Sequence, residues 1–171
     1  MYASIALYAL MLSVVLLSQK NRKKISETLG FAKTNVLDAL TTGLLYAGVM
    51  LIISMMIGAA FYSFGMNDDL AKVPEAIKSA GATQIIIVVL MGSIIEEIFF
   101  RGYLQRKTNI LFASFIFAYF HIIYGSLTEL VGAFFLGAVL GVCYDRSKNL
   151  FVPTIAHLSY NLILVMITFG V

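Results

Sequence analysis

Six stretches of almost unbroken apolar residues divide the chain, over about residues 2–18, 38–65, 82–104, 110–124, 128–145 and 151–170. Crossing about 30 Å of hydrocarbon takes roughly 20 apolar residues in a helix. The pattern therefore predicts an all-α, polytopic transmembrane bundle of about six spans. The fourth stretch is short, as expected of a span that is tilted or mostly buried among its neighbours. Between the second and third, "NDDLAKVPEAIKSAGAT" is polar, contains Pro74 and predicts a short surface helix. No internal repeat or low-complexity segment is present. The reading is one integral-membrane domain over 1–171, with two N-terminal spans in 1–66 and four more in 82–170.

Composition makes lipid the solvent. Of the 171 residues, 60% are apolar and 12% charged, against about 45–50% and about 25% in a soluble domain. A soluble core of this length could not bury so much apolar side chain. The net charge of +3 sets topology and gives no sign of a nucleic-acid partner, because the basic residues lie between spans without interleaved aromatics. Lys20, Arg22, Lys23, Lys24, Lys33, Arg106, Lys107, Arg146 and Lys148 fall on one side of six alternating spans. Only Lys72 and Lys78 fall on the other. The positive-inside bias predicts both termini outside a cell membrane crossed several times. The first span lacks a basic leader and a small-residue cleavage site and reads as retained. Cys143, the single cysteine, excludes a disulfide framework and reads as packing.

Charge inside such spans is expensive, at least about 2.5–3.5 kcal/mol per group at the bilayer centre, and usually serves a function. The third span contains "GSIIEEIFFRG", with Glu96, Glu97 and Arg101. Glu97 and Arg101 stand at i, i+4 with the acid first, the favourable order for an ion pair within a helix. Glu96 is turned about 100° away, which leaves it to another task. Both histidines of the chain lie in spans: His121 ends "FAYFH", and His157 opens "HLSYN" with Asn161 on the same helical face. Counted from the basic ends, Glu96 is roughly 13 Å deep, His157 roughly 10 Å and His121 nearer 17 Å. The three can meet in the cytoplasmic half of the membrane. Ala133, Gly137 and Gly141 form a stripe that admits a close neighbour, either in the bundle or in an oligomer. Glu129, Asp38 and Asp145 read as interfacial charges.

Taken together, "EEIFFR", "FAYFH" and "HLSYN" resemble the motifs of the CAAX protease and bacteriocin-processing (CPBP, or Abi) family, which includes the Ras-converting prenyl endopeptidases. They occur in the family's order on three separate helices, and the resemblance covers about residues 82–170. It implies an intramembrane glutamate-dependent endopeptidase with 82–170 as its catalytic core. Glu96 and His121 would polarise the attacking water, while His157 and Asn161 would stabilise the oxyanion. Glu97 and Arg101 would support the site, with Phe117 packed beside it. A Glu with two His also resembles a three-ligand zinc set, but the glutamate–water reading requires no metal or other cofactor. The implied partners are the lipid bilayer and a peptide or lipidated-peptide substrate. The chain is short beside the prenyl-protease branch and looks more like the bacterial and archaeal one, associated with peptide processing and bacteriocin immunity. Two competing readings are a non-catalytic scaffold or immunity protein of the same fold, and a small transporter using Glu and His as an ion path.

Overall fold

In the computed structural model the described residues are 2–18, 30, 31 and 35–171. The basic segment with Lys20, Arg22, Lys23, Lys24 and Lys33 lies outside them. Among the described residues seven helices follow in order: α1 (Tyr2–Ser18), α2 (Val36–Ser63), α3 (Asn67–Ser79), α4 (Ala82–Gln105), α5 (Ile110–Phe120), α6 (Leu127–Ser147) and α7 (Phe151–Phe169). Four of these, α2, α4, α6 and α7, are long and apolar enough to cross a membrane. Ile5–Ser18 and Ile110–Tyr124 are shorter apolar helices. The protein is a helical membrane bundle, with its apolar helices where the hydropathy pattern places them.

Polar residues set the helix ends. Asn35 caps α2 by accepting from the Leu37 N–H at 3.0 Å, and Asn109 caps α5 through the Phe112 N–H at 2.8 Å. Each satisfies an N–H that the helix itself leaves unpaired. At its other end α5 tightens into a 3₁₀ turn, His121–Tyr124. Gly125 then turns the chain back with a φ of 61°, a left-handed conformation that glycine adopts without a Cβ clash.

α4 departs from a regular helix. π-helical turns over Ile87–Gly92 and Ile98–Gln105 flank a single α-helical stretch, Ser93–Glu97. π-turns are rare and recur at functional sites, and these bracket the two glutamates.

The small-residue stripe of α6 turns inward. A Cβ on Gly137 would stand 3.2 Å from the Phe117 ring and 3.3 Å from Ser114 Cβ, and one on Gly141 would stand 2.7 Å from Ile110. The glycines thus seat α5 against α6 inside the bundle. Cys143 is fully buried in a cluster with Ala39 and Val152.

α3 is more than a surface helix. Asp69 accepts from the backbone N–H groups of Leu127 (3.0 Å) and Thr128 (2.8 Å) and from the Thr128 and Ser126 hydroxyls (2.7 and 2.9 Å). One carboxylate on α3 therefore caps the start of α6, where the helix dipole favours negative charge. Lys72 adds an ion pair to Asp69 (3.1 Å) and donates to the Gly125 carbonyl (2.6 Å). Burial by itself would raise the Asp69 carboxyl, but these hydrogen bonds outweigh it and hold the group well below the usual carboxylate range. The tether roofs one end of the bundle, opposite Arg106, Lys107, Arg146 and Lys148.

Candidate active site

Glu97 and Arg101 are wholly buried and paired, with Arg101 Nε 3.1 Å from Glu97 Oε2. The guanidinium lies against two aromatic faces, 5.9 Å from the Phe100 ring centre and 5.2 Å from that of Phe117. The second oxygen of Glu97 has another partner, His157 Nδ1 at 3.0 Å. Glu97 thus bridges a cation on its own helix to an imidazole on α7, a role beyond the neutralising pair that the i, i+4 spacing predicted.

Glu96 points elsewhere. Its Oε2 is 4.0 Å from His157 Nε2, and its Oε1 accepts from the Tyr8 hydroxyl of α1 at 3.5 Å. Adjacent positions on a helix project in different directions, so the paired acids serve separate surroundings.

The two remaining motif residues are held by neighbours whose chemistry fixes their orientation. His121 Nδ1 is 2.8 Å from the Phe117 carbonyl. A carbonyl only accepts, so Nδ1 carries a proton, and in the neutral ring Nε2 then holds the lone pair. Asn161 Nδ2 donates to Ser93 Oγ at 3.1 Å, while Ser93 donates its own proton to the Val89 carbonyl at 2.7 Å. Ser93 can therefore only accept from Asn161, which orients the amide and leaves its second N–H for another acceptor. Phe117 is buried, with its ring 4.5 Å from that of His121 and 5.9 Å from that of His157.

Glu96, His121, His157 and Asn161 all line one cavity of about 190 Å³. Its far wall is mostly apolar, with Val73, Ala76 and Ile77 from α3, Ile85 and Val88 from α4 and Leu164 from α7, and Gln84 of α4 as a polar member. The cavity runs from these side chains toward α3, at the end of the bundle away from Arg106, Lys107, Arg146 and Lys148.

Several residues of the site escaped the sequence. Glu129, expected at the interface, lines this cavity and an adjoining one of about 60 Å³ shared with His121, His157 and Asn161. Its correction has a topological cause: α3 covers the start of α6, so an acid one turn into that helix faces protein. Asp38 is exposed in the first turn of α2, and Asp145 pairs with Lys148 at 2.5 Å. Tyr8, Ser93 and Tyr124 carried no signal of spacing. Among the described residues no three His, Cys, Asp or Glu side chains are grouped so as to hold a metal ion.

A family model described as "Type II CAAX prenyl endopeptidase Rce1-like" matches residues 78–163, a segment that contains all three motifs. The chain belongs to this family. Two proteins of Bacillus subtilis (strain 168) are similar to this Rce1-like chain. One, named "Putative membrane peptidase YdiL", is 32% identical over 113 residues, 62% of this chain and 46% of that protein. The other, "Uncharacterized protein YpbD", is 32% identical over 112 residues, 64% of this chain and 58% of that protein. The chain thus spans about half the length of the curated relatives it matches. No solved structure matches it.

Proposed function

We propose that this Rce1-like protein is an intramembrane endopeptidase that cleaves a peptide or a membrane-associated protein through a water activated by glutamate. The single observation that carries the reading is the meeting of Glu96, His121, His157 and Asn161, from three helices, around one cavity. In the reaction, a water between Glu96 and the lone pair of His121 Nε2 gives a proton to Glu96 as its oxygen attacks the scissile carbonyl carbon. The oxyanion that forms accepts from the free N–H of Asn161 and from His157 Nε2. Nδ1 of the same ring faces the Glu97 carboxylate at 3.0 Å, which fixes the direction in which Nε2 points. The tetrahedral intermediate collapses as the C–N bond breaks, and Glu96 returns the proton to the departing amine. Water is thereby divided between the new carboxyl and the new amine, with no further reactant.

Residues 82–170 form the catalytic core in this reading, and the apolar wall beneath α3 takes the side chains, or the lipid, next to the scissile bond. On the orientation implied by the positive-inside bias, the cavity opens toward the outer face.

The test is cleavage of an internally quenched CAAX peptide, farnesylated and unmodified, by purified protein in detergent. Glu96→Gln and His121→Ala should each lower turnover by at least about 100-fold, the range of a lost general base or its partner. Unchanged turnover in either variant overturns the mechanism. Cleavage of both peptides equally would remove a prenyl requirement.

A further inference from the structure

α1 lies outside the residues matched by the family model and outside all three motifs, yet it places a side chain against Glu96. Tyr8 is buried at 7% exposure, and its hydroxyl donates to Glu96 Oε1 at 3.5 Å. The phenol reaches that position through a gap in α4. A Cβ on Gly92 would stand 2.5 Å from the Tyr8 oxygen and 3.2 Å from Cζ.

The conformation of Gly92 does not call for glycine. Its φ of −58° and ψ of −57° are open to any L-residue, and glycine destabilises a helix interior relative to alanine. What the position requires is space, and the phenol fills it. The two oxygens of Glu96 consequently have different neighbours: Oε1 faces Tyr8, and Oε2 faces His157 Nε2 at 4.0 Å. The remaining groups around this carboxylate are His121, Tyr124, Glu129 and Asn161, which line the same cavity.

We propose that Tyr8 is a positioning residue for Glu96: its phenol holds one carboxylate oxygen so that the other is presented to His157 and the cavity. The proposal rests on the reading of Glu96 as the base. It makes α1 a part of the site, so the segment that carries the motifs is not self-sufficient.

The test uses the full chain in detergent and a readout that does not depend on proteolysis. Dicyclohexylcarbodiimide modifies carboxyl groups in apolar sites, and mass spectrometry of the Glu96 peptide gives a labelling rate. The Tyr8 hydroxyl occupies one carboxylate oxygen, so Tyr8→Phe, which keeps the ring, should raise that rate at least about twofold, the effect of one lost hydrogen bond. Gly92→Ala, which pushes the phenol away, should produce the same rise. Combined, the two changes should raise the rate once, because both remove one contact. An unchanged rate in Tyr8→Phe, or effects that multiply in the double variant, overturns the proposal. If Tyr8→Phe does not fold, Gly92→Ala alone decides, since it leaves the tyrosine present and an unchanged rate there is equally fatal. The CAAX-peptide assay separates the two readings. A raised labelling rate in Tyr8→Phe beside a wild type that cleaves nothing retains the contact and refutes the protease. Wild-type cleavage with unchanged turnover in Tyr8→Phe refutes the positioning role alone.

Discussion

Replacing Glu97 by glutamine changes one oxygen to nitrogen and almost no volume, yet it should be among the most damaging single substitutions in this protein. Glu97 and Arg101 are both fully buried. Among the described residues neither Arg101 Nη1 nor Nη2 has a hydrogen-bond partner, so the 3.1 Å contact from Nε to Glu97 Oε2 supplies both the hydrogen bond and the counter-charge. Removing one partner of a buried pair leaves an uncompensated ion and costs about 3–5 kcal/mol. At about 2–4 °C per kcal/mol for a chain of this size, the thermal midpoint should fall by roughly 6–20 °C. Cys143 provides the assay: it is the single cysteine of the sequence and is fully buried. A thiol-reactive dye in detergent therefore reports opening of the bundle as temperature rises. The decisive comparison is Glu97→Gln/Arg101→Met, which removes both charges and fills the space with an unbranched apolar chain. Replacing a whole buried pair is often neutral or stabilising, so most of the lost midpoint should return. Turnover should not return, because a neutral amide then faces His157 Nδ1. If the double variant labels as early as Glu97→Gln alone, the uncompensated charge is not the cause and the reasoning fails.

Two further outcomes are expected. Because the folded-state carboxyl of Asp69 is depressed, the tether of α3 to α6 should be fully present above the ordinary carboxylate value of about 3.9. It should weaken as pH falls below that value, with complete loss only well beneath it, because protonation removes the acceptor. Hydrogen exchange of the α3 amides should show this, and Asp69→Ala should produce the same loss of protection near neutral pH at a cost of about 0.5–2 kcal/mol; equal protection in the variant would argue that apolar contacts alone hold the roof. Gly137→Ala places a methyl 3.2 Å from the Phe117 ring and should cost about 1–3 kcal/mol by overpacking. It should also lower turnover on the CAAX peptide, since the Phe117 carbonyl orients His121, and a stable variant with wild-type turnover would show that the α5–α6 seam does not govern the site.

The all-helical class, the positions of the apolar helices and the membrane setting were legible in the sequence because lipid imposes a length and a polarity on every span. The Glu97–Arg101 pair was legible for a local reason: i, i+4 spacing puts both side chains on one face of the helix that carries them. The three motifs carried the candidate site residues, since ionisable groups in an apolar run are conspicuous at any range. Tertiary structure alone decided the rest. Glu97 meets His157, Tyr8 meets Glu96, and Asp69 meets the start of α6 across separations of 60, 88 and 58 residues, and no periodicity along the chain encodes such distances. The same holds for Glu129, whose place in the cavity depends on α3 folding over it, and for Gly92, whose value is the space it leaves for a side chain from another helix. Hydropathy and spacing are properties of one helix in lipid. Which side chain faces which depends on how the helices pack, and that packing turns a scattered set of polar residues into one cavity with an apolar roof.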